Sequence, residues 1–214
     1  MDFFTLILIC HIIAGFTSLL LGTFILIRKK GDSIHKKLGK IFSIAMVANG
    51  LFAFVLSYLH PNLFLFIVGV FSIYLTVTGY RAVGLKNINT GEKPKVFDYV
   101  LTVLMCIASI TFLYLGIYYL IQGEIFGIVF CFFGLISFRL CYVDYKRYRN
   151  TSEPDKLQWL KNHLGRMTGA YIAAFTAFLV VNNTYLPSYL AWSLPGLIGG
   201  FFIFRTIRKM DVKK

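Results

Sequence analysis

Apolar residues in this chain gather into seven runs of about twenty, separated by short polar connections. The runs are Phe3–Ile27, Leu38–Leu59, Leu63–Val83, Phe97–Ile121, Ile125–Val143, Leu164–Val181 and Leu186–Phe204. As helices rising about 1.5 Å per residue, all are near the length needed to cross a hydrocarbon layer about 30 Å thick. A backbone in lipid has no water to bond with, so such a run must satisfy its polar groups within itself, as an α-helix does. The pattern predicts an all-α, polytopic helical bundle of seven spans, forming one transmembrane domain over residues 1–214. Tight turns are expected at His60–Asn62 and Gln122–Glu124, and Asn182–Pro187 is expected to close the last hairpin. The longest polar segment, Asp144 to Asn162, reads as a mobile loop that includes Asn150 to Asp155, with a short amphipathic stretch at Leu157, Trp159 and Leu160.

The charges sharpen this picture. Segment Arg28–Lys40 holds six Lys and Arg, Arg81–Lys95 four, Arg139–Arg166 seven and Arg205–Lys214 five, which together are all twenty-two in the chain. Seven spans put every one of these segments on the same side, and the positive-inside rule makes that side the cytoplasm. The N-terminus is then expected outside and the C-terminus inside. One span more or fewer would scatter basic segments over both faces.

Composition agrees. The chain is 57% hydrophobic and only 14% charged, against about 25% charged in soluble domains. Its net charge of +13 sits in short loops rather than on a basic helix face, so an anionic inner leaflet is the expected partner and nucleic acid is not. Cys10, Cys106, Cys131 and Cys141 lie inside apolar runs without CxxC spacing, as buried packing residues do. The N-terminus lacks a basic n-region and a small-residue cleavage site, and reads as a retained first span.

Small residues recur at helical spacing. His11, Gly15, Ser18 and Gly22 share one face of the first run, and His35, Gly39, Ser43, Met46 and Gly50 one face of the second. Gly165, Gly169, Ala173 and Ala177 form another stripe, and Gly127, Cys131 and Gly134 a looser one. Such stripes let helix backbones approach closely in lipid, within one chain or against another membrane protein or a second copy. There is no GxSxG turn, no HExxH, no phosphate-cradling glycine loop and no intramembrane carboxylate pair.

Four histidines carry the candidate chemistry. His11 lies roughly 12 Å inside the first span, where an ionisable group is costly. It reads either as a functional residue or as an imidazole hydrogen-bonded to a neighbouring helix. His35 and His163 begin the second and sixth spans at one depth, and converge if those helices are neighbours. Arg81, Asp98, Arg139, Asp144 and Arg166 stand on the same side. This set suits a metal ion bound through imidazole and carboxylate, or an anionic head group or small anion bound through arginine, with Arg139 and Arg166 supplying the positive charge. The plainer reading is capping, snorkelling and pairing with lipid phosphate. His60, before Pro61, reads as an interfacial turn residue. Haem needs two histidines at matching depth. His35 and His60 lie about 37 Å apart along one helix, so only His35 with His163 suits a single haem.

The opening stretch resembles the bacterial membrane family catalogued as domain of unknown function 2306. The shared pattern is His11, Gly15, Gly22, Gly31, His35, Gly39 and Lys40, with His163, Met167 and Tyr171 as a later helix start. Arg166 and Gly169 stand where an aromatic and a basic residue are expected. The resemblance implies a polytopic protein of the bacterial inner membrane and singles out His11, His35 and His163. It implies no activity. The expected function is therefore a cytoplasm-facing histidine site for a metal, a single haem or a small anion. The alternatives are a transporter of small molecules or lipids, and an accessory subunit that is not an enzyme.

Overall fold

A computed structural model of the protein describes residues 2–88, 91–149 and 155–212. Seven α-helices form along it: α1 (Phe3–Ile27), α2 (Ser33–Leu59), α3 (Leu63–Gly84), α4 (Val96–Ile121), α5 (Gly127–Tyr148), α6 (Gln158–Asn182) and α7 (Ser188–Val212). All seven are long and apolar enough to span a membrane, and no strand occurs among the described residues. This is the architecture of an integral membrane protein.

Every predicted run became a helix, and the differences lie at the ends. α2 starts at Ser33 rather than Leu38 because Asp32 caps it, its Oδ1 accepting the His35 backbone N–H at 2.7 Å. α5 runs on past Val143 to Tyr148, so Asp144 belongs to a helix and is buried. α6 begins at Gln158, which places Trp159 and Leu160 in its first turn rather than in a separate amphipathic stretch. The loop expected around Asn150–Pro154 falls outside the described residues. Hydropathy ends where charges begin, but a helix continues as long as its hydrogen bonds do. The turn at His60–Asn62 stands as expected, and the one expected at Asn182–Pro187 begins a residue later because Asn182 ends α6.

The helices fall into two compact units. Unit 1 comprises Met1–Val83 and Leu160–Lys214, and unit 2 Gly84–Trp159. In unit 1, α1 packs along α2, joined by a short turn in which Gly31 takes φ +89°. Lys30 closes the C-terminal end of α1, its Nζ donating to the carbonyls of Ile25, Leu26 and Arg28 at 2.7 Å each. In unit 2, α4 packs along α5. A Cβ on Gly127 would stand 2.6 Å from the Gly116 carbonyl oxygen, so these two backbones meet only because both positions are glycine. All four histidines belong to unit 1.

Candidate functional site

Asp32 and the start of α2 set the position of His35. Asp32 Oδ1 holds the His35 N–H, and Asp32 Oδ2 accepts from Arg28 Nη2 at 2.5 Å. The backbone N–H of His35 chiefly holds the Asp32 carboxyl below its ordinary value of 3.8; desolvation opposes it, and the Arg28 guanidinium adds to the lowering. The first turn of α2 is thus fixed from both sides, and His35 with it.

His163 lies in the second turn of α6. Its Nδ1–H donates to the backbone carbonyl of Gly79 on α3 at 2.9 Å. A carbonyl only accepts, so the proton of the neutral ring is on Nδ1 and Nε2 keeps a free lone pair. The contact needs α6 close to α3. A Cβ on Gly79 would lie 3.0 Å from both Arg166 Cβ and Met167 Sδ. One turn further, Arg166 Nη1 donates to Thr78 Oγ1 at 2.6 Å, with the guanidinium 5.5 Å from the centre of the Tyr74 ring. Thr78 Oγ1 in turn donates to the Tyr74 carbonyl at 2.6 Å. Lys161 pairs with Asp211 of α7. The first turns of α6 are therefore held by α3 and α7.

These constraints bring the two imidazoles together. The ring centres of His35 and His163 lie 6.5 Å apart, with the planes at 78°. His35 Nδ1 is buried and has no hydrogen-bond partner among the described residues. Such an orphan is costly wherever water is excluded. Two imidazoles bound to one metal at about 2.0–2.1 Å hold their ring centres at most about 6.4 Å apart. The observed 6.5 Å lies just beyond that limit, so a shared metal needs the two rings to draw slightly together. Among the described residues no group of three His, Cys, Asp or Glu comes together, so the protein offers two nitrogen donors here.

The other candidates lie elsewhere. His11 donates Nδ1–H to the Asn49 carbonyl of α2 at 3.1 Å, which is the helix-to-helix bond weighed for it above. Asn49 Oδ1 is buried without a partner beside it, 3.1 Å from where a Cβ on Gly15 would stand. His60 ends α2 with its ring 4.3 Å from that of Phe4. Arg166 is 3% exposed and turned into α3. Arg139 lies exposed on α5 in unit 2.

Sequence patterns passed over Gly79, Thr78 and Asn49, because a backbone carbonyl or a small hydroxyl leaves no mark in hydropathy. They also passed over Arg147, 6% exposed, whose Nη2 donates to the Leu85 carbonyl at 2.9 Å within unit 2. Its place inside α5 was hidden by ending that helix early. No family model, curated protein or solved structure matches this chain.

Proposed function

We propose that this integral membrane protein carries a metal site between His35 and His163, facing the cytoplasm, with the N-terminus outside. The metal is a transition ion bound by the two imidazoles, either alone or as the iron of a single haem. One observation carries the reading. Two histidines from different helices stand 6.5 Å apart, one with Nδ1 committed to a backbone carbonyl and the other with a buried Nδ1 left over. A carbonyl that accepts from the far ring nitrogen in this way orients a metal-binding imidazole and raises its basicity. Arg166 donates to Thr78 and lies over Tyr74, which favours a metal over a small anion. Placing the basic segments in the cytoplasm rests on the positive-inside rule.

Metal analysis and an absorption spectrum of protein purified without chelator test the site. The expected result is one metal per chain, with a Soret band if it is haem iron, and loss of both signals in His35→Ala and in His163→Ala. Colourless, metal-free protein that also fails to take up added zinc, copper or haem would refute the proposal.

A further inference from the structure

A groove of about 400 Å³ runs along unit 1, from Phe16 to Ile27 on α1 and from Tyr171 to Phe178 on α6. It opens outward: Phe16, Leu20, Phe24 and Phe178 are all exposed. Its polar feature is a pair of hydroxyls, Thr23 Oγ1 and Tyr171 OH, 2.7 Å apart. Thr23 Oγ1 also donates to the Leu19 carbonyl at 2.8 Å. Its single proton is then used, so Tyr171 must donate to Thr23, and neither hydroxyl has a proton left for a ligand. A carbonyl-bearing ring would find no donor here. What the groove offers is hydrocarbon contact along its length.

That length is informative. Ile27 lies eleven positions beyond Phe16, about 16 Å at the helical rise. The hydrocarbon layer is about 30 Å thick, so the groove is as long as one leaflet is deep. It starts at the basic end of α1 and stops near the helix midpoint, as a single acyl chain would.

The basic end supplies the headgroup contact. Ile27 is followed by Arg28, Lys29 and Lys30, with Asp32 as the one acidic residue of the turn, leaving it at +2. Lys30 is turned back onto the carbonyls that end α1. Arg28 pairs with Asp32 while its guanidinium stands 5.7 Å from the ring of Phe24, a groove wall. Lys29 is exposed. Positive charge thus gathers at the mouth of a groove one leaflet deep. We propose that the groove seats one acyl chain of an anionic glycerophospholipid, with its phosphate at Lys29 and Arg28.

The test compares dioleoyl phosphatidylglycerol with dioleoyl phosphatidylcholine, which carry the same chains under different headgroups. Delipidated protein in mild detergent is titrated with each, and binding is read by native mass spectrometry and by thermal midpoint. The expected result is one retained phosphatidylglycerol per chain and a midpoint several degrees higher than phosphatidylcholine gives. Leu20→Trp, which fills the groove from an exposed position, should abolish retention. Lys29→Gln should weaken it about fivefold, the worth of one cation near an anionic surface. Equal effects of the two lipids, retention unchanged in Leu20→Trp, or the same stabilisation by inorganic phosphate alone would each overturn the proposal. If Leu20→Trp lowers the midpoint in phosphatidylcholine, Lys29→Gln decides by itself, and unchanged affinity there refutes the headgroup assignment.

Discussion

His11 and His163 are tethered in the same manner. Each donates Nδ1–H to a backbone carbonyl on a neighbouring helix, Asn49 for the first and Gly79 for the second. Each sits where a glycine lets two helices close up, at Gly15 and at Gly79. The difference is what faces the ring. His163 has a second imidazole 6.5 Å away, whereas no ring contact joins His11 to another histidine among the described residues. For His11 the structure shows a hydrogen bond that satisfies a polar group between helices. It leaves His35 unaccounted for, because that residue is anchored by its backbone and its Nδ1 is buried alone. The contrast separates a histidine seen joining helices from the pair proposed to share a ligand.

The sharpest way to break this contrast is to truncate each ring in turn. His35→Ala and His163→Ala should take bound metal from stoichiometric to background, whereas His11→Ala should keep it, as measured by elemental analysis of the purified variants. Next comes the support behind the pair. Gly79→Ala pushes a methyl against Arg166 and Met167, so zinc affinity by titration should fall about 10- to 100-fold, the usual cost of disturbing a group that orients a ligand imidazole. The matching change on the other side, Gly15→Ala, should leave that affinity alone.

A smaller effect is expected from Thr78→Val, which removes one acceptor from the buried guanidinium of Arg166. Stability in detergent should drop by about 1 kcal/mol, read from unfolding curves, with metal still bound. The smallest concerns Asp32. Its folded pKa is lowered, so its stabilisation of α2 is complete above the ordinary carboxylate value and is lost as pH falls through the lower, folded one. Thermal midpoints between about pH 6 and pH 3 should fall with acid in the native chain. Asp32→Asn, which keeps the cap but cannot titrate there, should show a flatter response.

How far the sequence reached follows from what each signal measures. Hydropathy located all seven helices, since lipid leaves an apolar run one low-energy conformation. It missed polar helix ends such as Asp144–Tyr148 and Gln158–Asn162, where the helix outlasts the apolar run. Matching depth made His35 and His163 a candidate pair, but depth says nothing of which helices touch. That needed the contacts of α6 with α3 through Gly79 and Thr78, none of which has a one-dimensional signature. Arg166 shows the limit well. Its charge suggested a ligand, and the fold turned it onto a threonine and a tyrosine ring instead.

X-ray absorption at the edge of the bound metal examines the His35–His163 pair most directly. Two imidazole nitrogens at about 2.0–2.1 Å are predicted in the native protein, falling to one in His35→Ala reloaded with excess metal. A shell with no imidazole scattering, or one identical in native, His35→Ala and His163→Ala protein, would contradict the account.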